Sequence, residues 1–376
     1  MTEPASLWRV LDLLTRPLLV PPYLLAARLS VRAVNKRRAQ REAEPAPDPF
    51  ENLAGVWPDV PPATIPDPEC PRVSVVIPAY NEESDIGRLL ASLQALDYPR
   101  ERLEILVADN GSTDATVAIA DRHGVRVVAQ PKRGPAAARN AGIAAARGDW
   151  VATTDADCVV HPLWLRRLVA PAVEAREAVA AVGGRIVGLC ADPVARDFCR
   201  RESIFDQEQA VAGRLLPFPF VITANGLFRR DVIDRLGRFD EDFPAAAAED
   251  VDLGWRLHEQ GFGMAYARHA CVLHRHRERG VDIHQQFFKY GLSEVRVYLK
   301  HRHLFSRGEL ARHLWIRPIL YRHFWQAVWR GVLARSGAER RLWRLTILKE
   351  LGHMAGKMEG ARRYRTYRHF ALWTRE

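Results

Sequence analysis

From Arg72 onward, short apolar runs alternate with stretches in which apolar residues recur every three or four positions. RVSVVIPAY, rich in β-branched residues, reads as a strand that ends near Pro78 and Tyr80. In NEESDIGRLLASLQAL, Ile86, Leu89, Leu90 and Leu93 share one helical face. LEILVADNGSTD repeats the first pattern, a strand over 103–108 closed by an acidic, glycine-containing turn, and ATVAIADRHG repeats the second. VRVVAQ is a third strand, KRGPAAARNAGIAAARGD an Ala-rich helix with a glycine at its entry, and WVATTDAD a fourth strand. Alternation at this pace predicts a parallel α/β sheet covered on both faces, with ligands at the carboxyl ends of its strands. Tyr80, Asp109, Asp155 and Asp157 fall at those ends.

Two carboxylates one residue apart close the fourth strand, where burial of an unpaired charge is costly. A divalent cation answers the difficulty. Hard cations take carboxylate oxygens, and a bound diphosphate completes the shell. Mg2+ or Mn2+ is the expected cofactor, although an Asp-x-Asp pair alone is weakly specific. Asp109 precedes Asn110-Gly111, where its carboxylate accepts hydrogen bonds from a base or ribose, or else serves its own turn. Arg139 and Asn140 sit on the helix before the acid pair, where a guanidinium reaches a nucleotide or simply faces solvent. Asn225-Gly226, in FVITANGLFRR, reads as a turn between two β-like runs. AAAAEDVDLGWRL places Glu249 and Asp250 at a helix start, where acids are ordinary, and Asp252 inside the helical pattern. His274 and His276 follow a strand in GMAYARHACVLHRHRERG. Their spacing puts them on opposite sides of a strand, and a solvated basic turn is the plain reading.

Length and charge set the frame around this core. At 376 residues the chain exceeds one average domain. Residues 298–376 hold 18 Lys/Arg against 5 Asp/Glu and residues 1–44 hold 8 against 4, so the middle is net acidic within a chain of formal charge +10. Basic ends imply an anionic partner, lipid or nucleic acid. The five cysteines, an odd number without CxxC spacing, support neither a disulfide framework nor a zinc site. The N-terminal segment 1–44 is apolar but interrupted by Arg9, Asp12, Arg16, Arg28 and Arg32, too short in its uncharged runs to span a bilayer and without the order of a signal peptide. It reads as an interfacial segment or a helix packed on the core. Residues 45–71 carry 9 of the 24 prolines and read as a linker. In the tail, Leu320, Phe324, Val328 and Val332 recur every four residues beside Trp325 and Trp329, with Arg322, Gln326 and Arg330 opposite. Trp and Arg on a broad amphipathic face suit a membrane surface, or a helical lid.

Five blocks in order, VSVVIPAYNEE, VADNGSTD, GPAAARNAGIAAARGDWVATTDAD, TANGLFRRDVIDRLGRFDEDF and AEDVDLGWRLHEQG, resemble the family 2 nucleotide-sugar glycosyltransferases over residues 72–290. The resemblance implies a GT-A fold with a Rossmann-like, mostly parallel sheet. It implies nucleotide contacts at Pro78, Tyr80, Glu82 and Asp109, ribose and metal contacts at Asp155 and Asp157 with the metal on Asp157, and an acceptor loop at Asn225 and Gly226. By the same resemblance Glu249 and Asp250 lie beside the acceptor, Asp250 as the catalytic base, and His274 is a further metal or diphosphate contact. The chemistry asks for the same groups. A cation stabilises the charge growing on the departing phosphate, and a carboxylate takes the proton of the attacking hydroxyl. One base opposite one metal implies a single inverting displacement.

The expected organisation is a nucleotide-binding half over 72–160, an acceptor half over 161–297 and a helical tail over 298–376. No QxxRW-like motif of processive synthases stands in its usual place, which favours a single sugar addition. A UDP-sugar is the preferred donor, and a lipid-linked hydroxyl or cell-envelope glycan the acceptor class. Transfer to a polyprenyl phosphate is the alternative, and a sugar nucleotidyltransferase a more distant one. The expected place is the cytoplasm, peripherally on the inner face of an anionic membrane. A nucleic-acid partner is not expected, since no such motif accompanies the basic tail and the core is acidic.

Overall fold

The computed structural model describes residues 48–50, 53, 56–58, 65–243, 247–314 and 318–366, without the side chains of 176 and 318–322. These fall into two compact units, one of residues 48–190 and 199–276, the other of residues 191–198 and those from 277 onward. The segment 1–44, much of the linker 45–71, and Trp315 and Trp373 of the tail lie outside the described residues.

The strands are β1 (Val73–Ala79), β2 (Leu103–Asp109), β3 (Arg126–Ala129), β4 (Trp150–Thr154), β5 (Cys158–Val160), β6 (Val179–Leu189), β7 (Asn225–Arg229) and β8 (Gly263–Arg275). The helices are α1 (Ile86–Gln94), α2 (Thr116–Arg122), α3 (Pro135–Ala145), α4 (Trp164–Ala175), α5 (Pro193–Arg201), α6 (Gln207–Val211), α7 (Arg230–Arg235) and α8 (Glu249–Glu259). After these come α9 (Gly280–Lys300), α10 (Arg307–Leu314), α11 (Pro318–Leu333) and α12 (Gly337–Arg363).

All eight strands form one sheet in the order β3-β2-β1-β4-β7-β6-β8-β5. The first four run parallel, as the alternation predicts. Because helices cover both faces, their strands are apolar runs without alternation. Val73, Val75 and Ile77 of β1 join Ile86, Leu89, Leu90 and Leu93 of α1 and Trp164 and Leu168 of α4 on one face. Val76 joins Ile143 of α3 and Leu253 and Leu257 of α8 on the other. The small residues of α3 let it lie close to the sheet, for a Cβ at Gly142 would stand 2.4 Å from Val76 Cγ1. That approach carries Arg139, one turn earlier, toward the rim.

The second half departs from the parallel pattern. β7 is antiparallel to β4 and β6, and β5 to β8, while β6 and β8 run parallel. Asn225-Gly226, expected as a turn, instead opens β7, with Asn225 opposite Thr154 and Gly226 opposite Thr153. The reason lies in the amide. Wholly buried Asn225 accepts from Trp164 Nε1 at 2.8 Å and donates to the carbonyls of Arg185 and Ala270 at 2.9 and 2.8 Å. One side chain thereby ties α4 to β6, β7 and β8.

In the other unit α9 packs along α12 through Gly291, Gly352 and Gly356, where added Cβ atoms would overlap facing backbone. Glu294 accepts from Lys357 Nζ at 2.9 Å and meets His353 at 2.8 Å between those helices. The tail boundary expected at residue 298 falls inside α9. On α11, Trp325, Trp329, Val332 and Leu333 are exposed. No described helix is long and apolar enough to cross a membrane.

Replacing Asn225 by Leu strands three buried hydrogen-bonding groups. The variant is expected to lose about 2–5 kcal/mol of stability, read as a lowered urea midpoint, where a surface residue would change it little.

Candidate active site

The carboxyl ends of β1, β2 and β4 gather the residues expected to meet a nucleotide. Tyr80 follows β1 and is 45 % exposed, with the Arg133 guanidinium 3.7 Å over its ring. Pro78 lies one register step from the end of β1, opposite Ala108. The Glu82 N–H donates to Thr116 Oγ1 at 2.8 Å, which fastens the turn after β1 to α2. Asp109 ends β2 and is buried, its carboxylate accepting from the N–H groups of Gly111 and Ser112 at 3.2 and 3.1 Å. The turn-acid role is therefore real, and it presents the carboxylate at the rim in a fixed orientation. Asn110 donates to the carbonyls of Gln130 and Lys132 and accepts from Gly134 N–H at 2.7 Å. That staple, missed in the sequence, shapes the entry to α3.

Asp155 and Asp157 follow β4, both half-buried. The antiparallel pairing of β5 with β8 sets Cys158 beside His274, which is how a histidine more than a hundred residues away reaches the acid pair. His274 Nε2 lies 3.8 Å from Asp155 Oδ2 and 3.6 Å from Asp157 Oδ1. Such separations exceed ordinary hydrogen bonds, and one ligand atom from each of Asp157, Cys158 and His274 lies within 4.8 Å of the others. Carboxylate oxygens are of the type that Mn2+ or Mg2+ takes, so Asp157 fits the expected ion with His274 beside it, while Asp155 is bonded to Arg139 and stands outside the group within mutual reach.

Arg139, expected to contact the nucleotide, is instead the bridge behind the site. It is 4 % exposed. One terminal nitrogen donates to Asp155 Oδ1 at 2.9 Å and the other to Glu249 Oε1 at 2.8 Å. Burial alone would raise the Asp155 carboxyl, but His274 and the Arg139 charge outweigh it and hold it at about 2. The preceding residue of α8, Ala248, has φ +67°. A left-handed alanine is strained, and strain of this kind is kept where it aims functional groups. Here it orients Glu249 and Asp250 at the helix start. Glu249 is buried against Arg139. Asp250 is half-buried, Oδ1 accepting from Val251 N–H at 2.8 Å. Burial and the neighbouring Glu249 push its carboxyl up to about 7 against the pull of Arg139. Asp252 is wholly buried and paired with Arg256 at 2.8 Å, a structural acid, as its place inside the helical pattern indicates.

The structure thus brings Asp155, Asp157, His274, Arg139 and Glu249 together and sets Asp250 beside Glu249. It does not bring Asn225 or Gly226 to the surface, because both are buried in β7. Their expected acceptor contact has no side-chain basis. Nor do His274 and His276 face opposite ways. Both are buried, their rings 5.5 Å apart, and Phe205 packs on both. β8 ends at Arg275, so the two-residue alternation of a strand no longer governs His276. Phe205 carried no sign in the sequence.

Residues 74–237 match the family described as glycosyl transferase family 2. A probable glycosyltransferase, YdaM, of Bacillus subtilis is 32 % identical over 209 residues, which are 53 % of this chain and 49 % of that protein. The pre-mycofactocin glycosyltransferase of Mycobacterium tuberculosis is 34 % identical over 236 residues, 61 % of this chain and 48 % of that protein. The chain thus spans about half the length of these relatives. Among solved structures, the mannosyltransferase PcManGT of Pyrobaculum calidifontis, in complex with GDP-Man and Mn2+, superposes with a TM-score of 0.57 at 21 % identity, over 95 % of this chain and 98 % of that one. The sheet and its helices are accordingly the GT-A fold.

The raised Asp250 carboxyl has a stability signature. The folded state binds this proton more tightly than the unfolded state, so stability present below pH 3.8 is lost as pH rises through about 7. Asp250→Asn is expected to melt higher than the parent protein above pH 7 and alike in acid. Thermal melts across that range read the difference.

Proposed function

Taking as premise that residues 74–237 are a family 2 glycosyltransferase domain on the GT-A fold, we infer that the protein moves one sugar from a nucleoside diphosphate sugar to an acceptor hydroxyl, with inversion and with a divalent cation. The observation that carries this reading is the convergence, at one rim, of a cation-type donor set and a carboxyl poised near neutrality. The GDP-Man and Mn2+ bound by the Pyrobaculum protein support a nucleotide sugar and a cation for this crevice. A UDP-sugar remains the preferred donor, and the acceptor is of the lipid-linked or cell-envelope glycan class.

In this reading Tyr80 offers the base an aromatic face, backed by Arg133, and Asp109 accepts from the base. Asp155 meets the ribose, while Asp157, Asp155 and His274 hold the ion. A cation held there would supply Lewis-acid stabilisation of the charge on a departing diphosphate. Asp250 receives the proton of the acceptor hydroxyl as that oxygen forms its bond to the anomeric carbon. A carboxyl near neutrality is matched to that task, a stronger base than an ordinary carboxylate and still in good part ionised near pH 7. Arg139 keeps Asp155 ionised and oriented throughout. Glu249 holds Arg139 from the other side.

The exposed Trp325, Trp329, Val332 and Leu333 of α11, with Arg330, Arg335, Arg340 and Arg341 nearby in sequence, support docking on an anionic membrane. Each basic group near such a surface adds about 1 kcal/mol, and the apolar side chains enter the headgroup boundary. Docking of this kind gives the enzyme access to a lipid-linked acceptor from the inner face.

The reading is tested by a panel of nucleotide sugars assayed for nucleoside diphosphate release with membrane lipid extract as acceptor. EDTA and Asp157→Ala are each expected to abolish release, and Asp250→Asn to remove transfer while leaving donor binding intact. Full turnover in EDTA would overturn the cation role. Transfer retained by Asp250→Asn would point to a phosphate acceptor, which needs no deprotonation, and pyrophosphate-dependent formation of a nucleoside triphosphate and a sugar 1-phosphate from the same nucleotide sugars would point to nucleotidyl transfer. For the membrane, the full chain is expected to sediment with phosphatidylglycerol vesicles, several-fold less when Trp325 and Trp329 are both replaced by Ser, and not with phosphatidylcholine vesicles. Equal binding to both lipids contradicts the docking.

A further inference from the structure

Two cysteine sulfurs and an imidazole meet beyond the ends of β6 and β8. The parallel ladder closes with Leu189 beside Arg275, and His276 N–H donates to the Leu189 carbonyl at 2.9 Å. That pairing sets Cys190 next to His276. Cys199, in α5, completes the group, with Cys190 Sγ and Cys199 Sγ 4.0 Å apart. One ligand atom from each of Cys190, Cys199 and His276 lies within 4.8 Å of the others, and all three residues are buried. The spacing of the cysteines along the chain gives no hint of this, because the donors come from three separate segments.

The imidazole is seated with care. A Cβ at Gly188 would fall 2.2 Å from His276 Cε1 and 2.6 Å from both ring nitrogens, so the ring fills the volume that glycine leaves. On another side Phe205 packs edge-on at 5.3 Å between centroids. Its φ of +62° is a left-handed, strained conformation for a bulky residue.

We propose that Cys190, Cys199 and His276 bind a thiophilic closed-shell cation, zinc in the first instance, at a site separate from the Asp155, Asp157 and His274 group. With Zn–S bonds of about 2.3 Å and Zn–N bonds of about 2.0–2.1 Å, tetrahedral angles place the sulfurs about 3.8 Å apart and each sulfur about 3.6 Å from nitrogen. The observed sulfur separation is within a few tenths of an ångström of that and about twice a disulfide bond of roughly 2.05 Å. Binding releases two thiol protons to solvent and changes no oxidation state. The fourth position is open to a solvent molecule or a further ligand. Thiolates select such an ion, while carboxylates select Mg2+ or Mn2+, so donor type sorts two cations between two neighbouring sites. With its ring 5.5 Å from that of His274, a metal-bound His276 fixes the wall against which His274 rests.

The test uses the full chain, reduced, stripped with chelator and titrated with CoCl2. The expected result is a thiolate-to-cobalt charge-transfer band with the visible bands of tetrahedral Co2+, retained in Asp157→Ala and Cys158→Ser and lost in Cys190→Ser and Cys199→Ser. Cys158 is the needed control, since it lies with Asp157 and His274 in the other cluster. In the unmodified protein, zinc is expected to slow alkylation of Cys190 and Cys199, reversibly with chelator, as mapped by mass spectrometry. That measurement stands even where a cysteine variant folds poorly. A band that survives Cys190→Ser but vanishes in Cys158→Ser, alkylation at the same rate with and without zinc, or a Cys190–Cys199 disulfide formed in the presence of zinc would each overturn the proposal.

Discussion

Arg139 donates to Asp155 on one side and Glu249 on the other while almost wholly removed from solvent, and the arrangement of the crevice follows from that bridge. Several acids crowd a small, poorly hydrated space. Without a counter-charge, one partner of a buried pair left alone costs about 3–5 kcal/mol. The guanidinium also sorts the acids. Asp155, bonded to it, stays ionised to about pH 2. Asp250, not bonded to it and dominated by burial and Glu249, rises to about 7. Two carboxyls pushed apart in this way differ in protonation near neutrality, the separation that the proposed acid–base division of labour calls for.

The sheet serves the same end. β4 delivers the acid pair, and the antiparallel pairing of β5 with β8 delivers His274. The close approach of α3 to β1, permitted by Gly142, delivers Arg139. Asn225, buried where four elements meet, keeps β7 between β4 and β6. A wholly buried residue thus ties together strands of the sheet that carries the rim residues.

How far this was legible in the chain depends on the range of the interaction. The parallel half was plain, since Ile86, Leu89, Leu90 and Leu93 mark a helix face and each strand is a contiguous apolar run. The strand-end positions of Tyr80, Asp109, Asp155 and Asp157 followed from the same pattern. The antiparallel half was not plain. Asn225-Gly226 has turn chemistry locally, and only the tertiary demand for an amide between Trp164, Arg185 and Ala270 makes it a strand. Arg139 was rightly placed near the acids and wrongly aimed, because whether a guanidinium faces ligand or protein depends on Glu249, 110 residues away. Cys190, Cys199 and His276 are likewise joined by topology and by no spacing rule.

The bridge itself is best tested by urea unfolding of Arg139→Gln beside the parent protein from pH 8 down to pH 3. Asp155 ionises more easily folded than unfolded, so its stabilisation is present above pH 3.8 and lost as pH falls toward 2. The account predicts a deficit of about 3–5 kcal/mol near neutrality that shrinks steadily in acid as the stranded carboxylates take up protons. A small deficit, or one of the same size at both ends of the range, would contradict it.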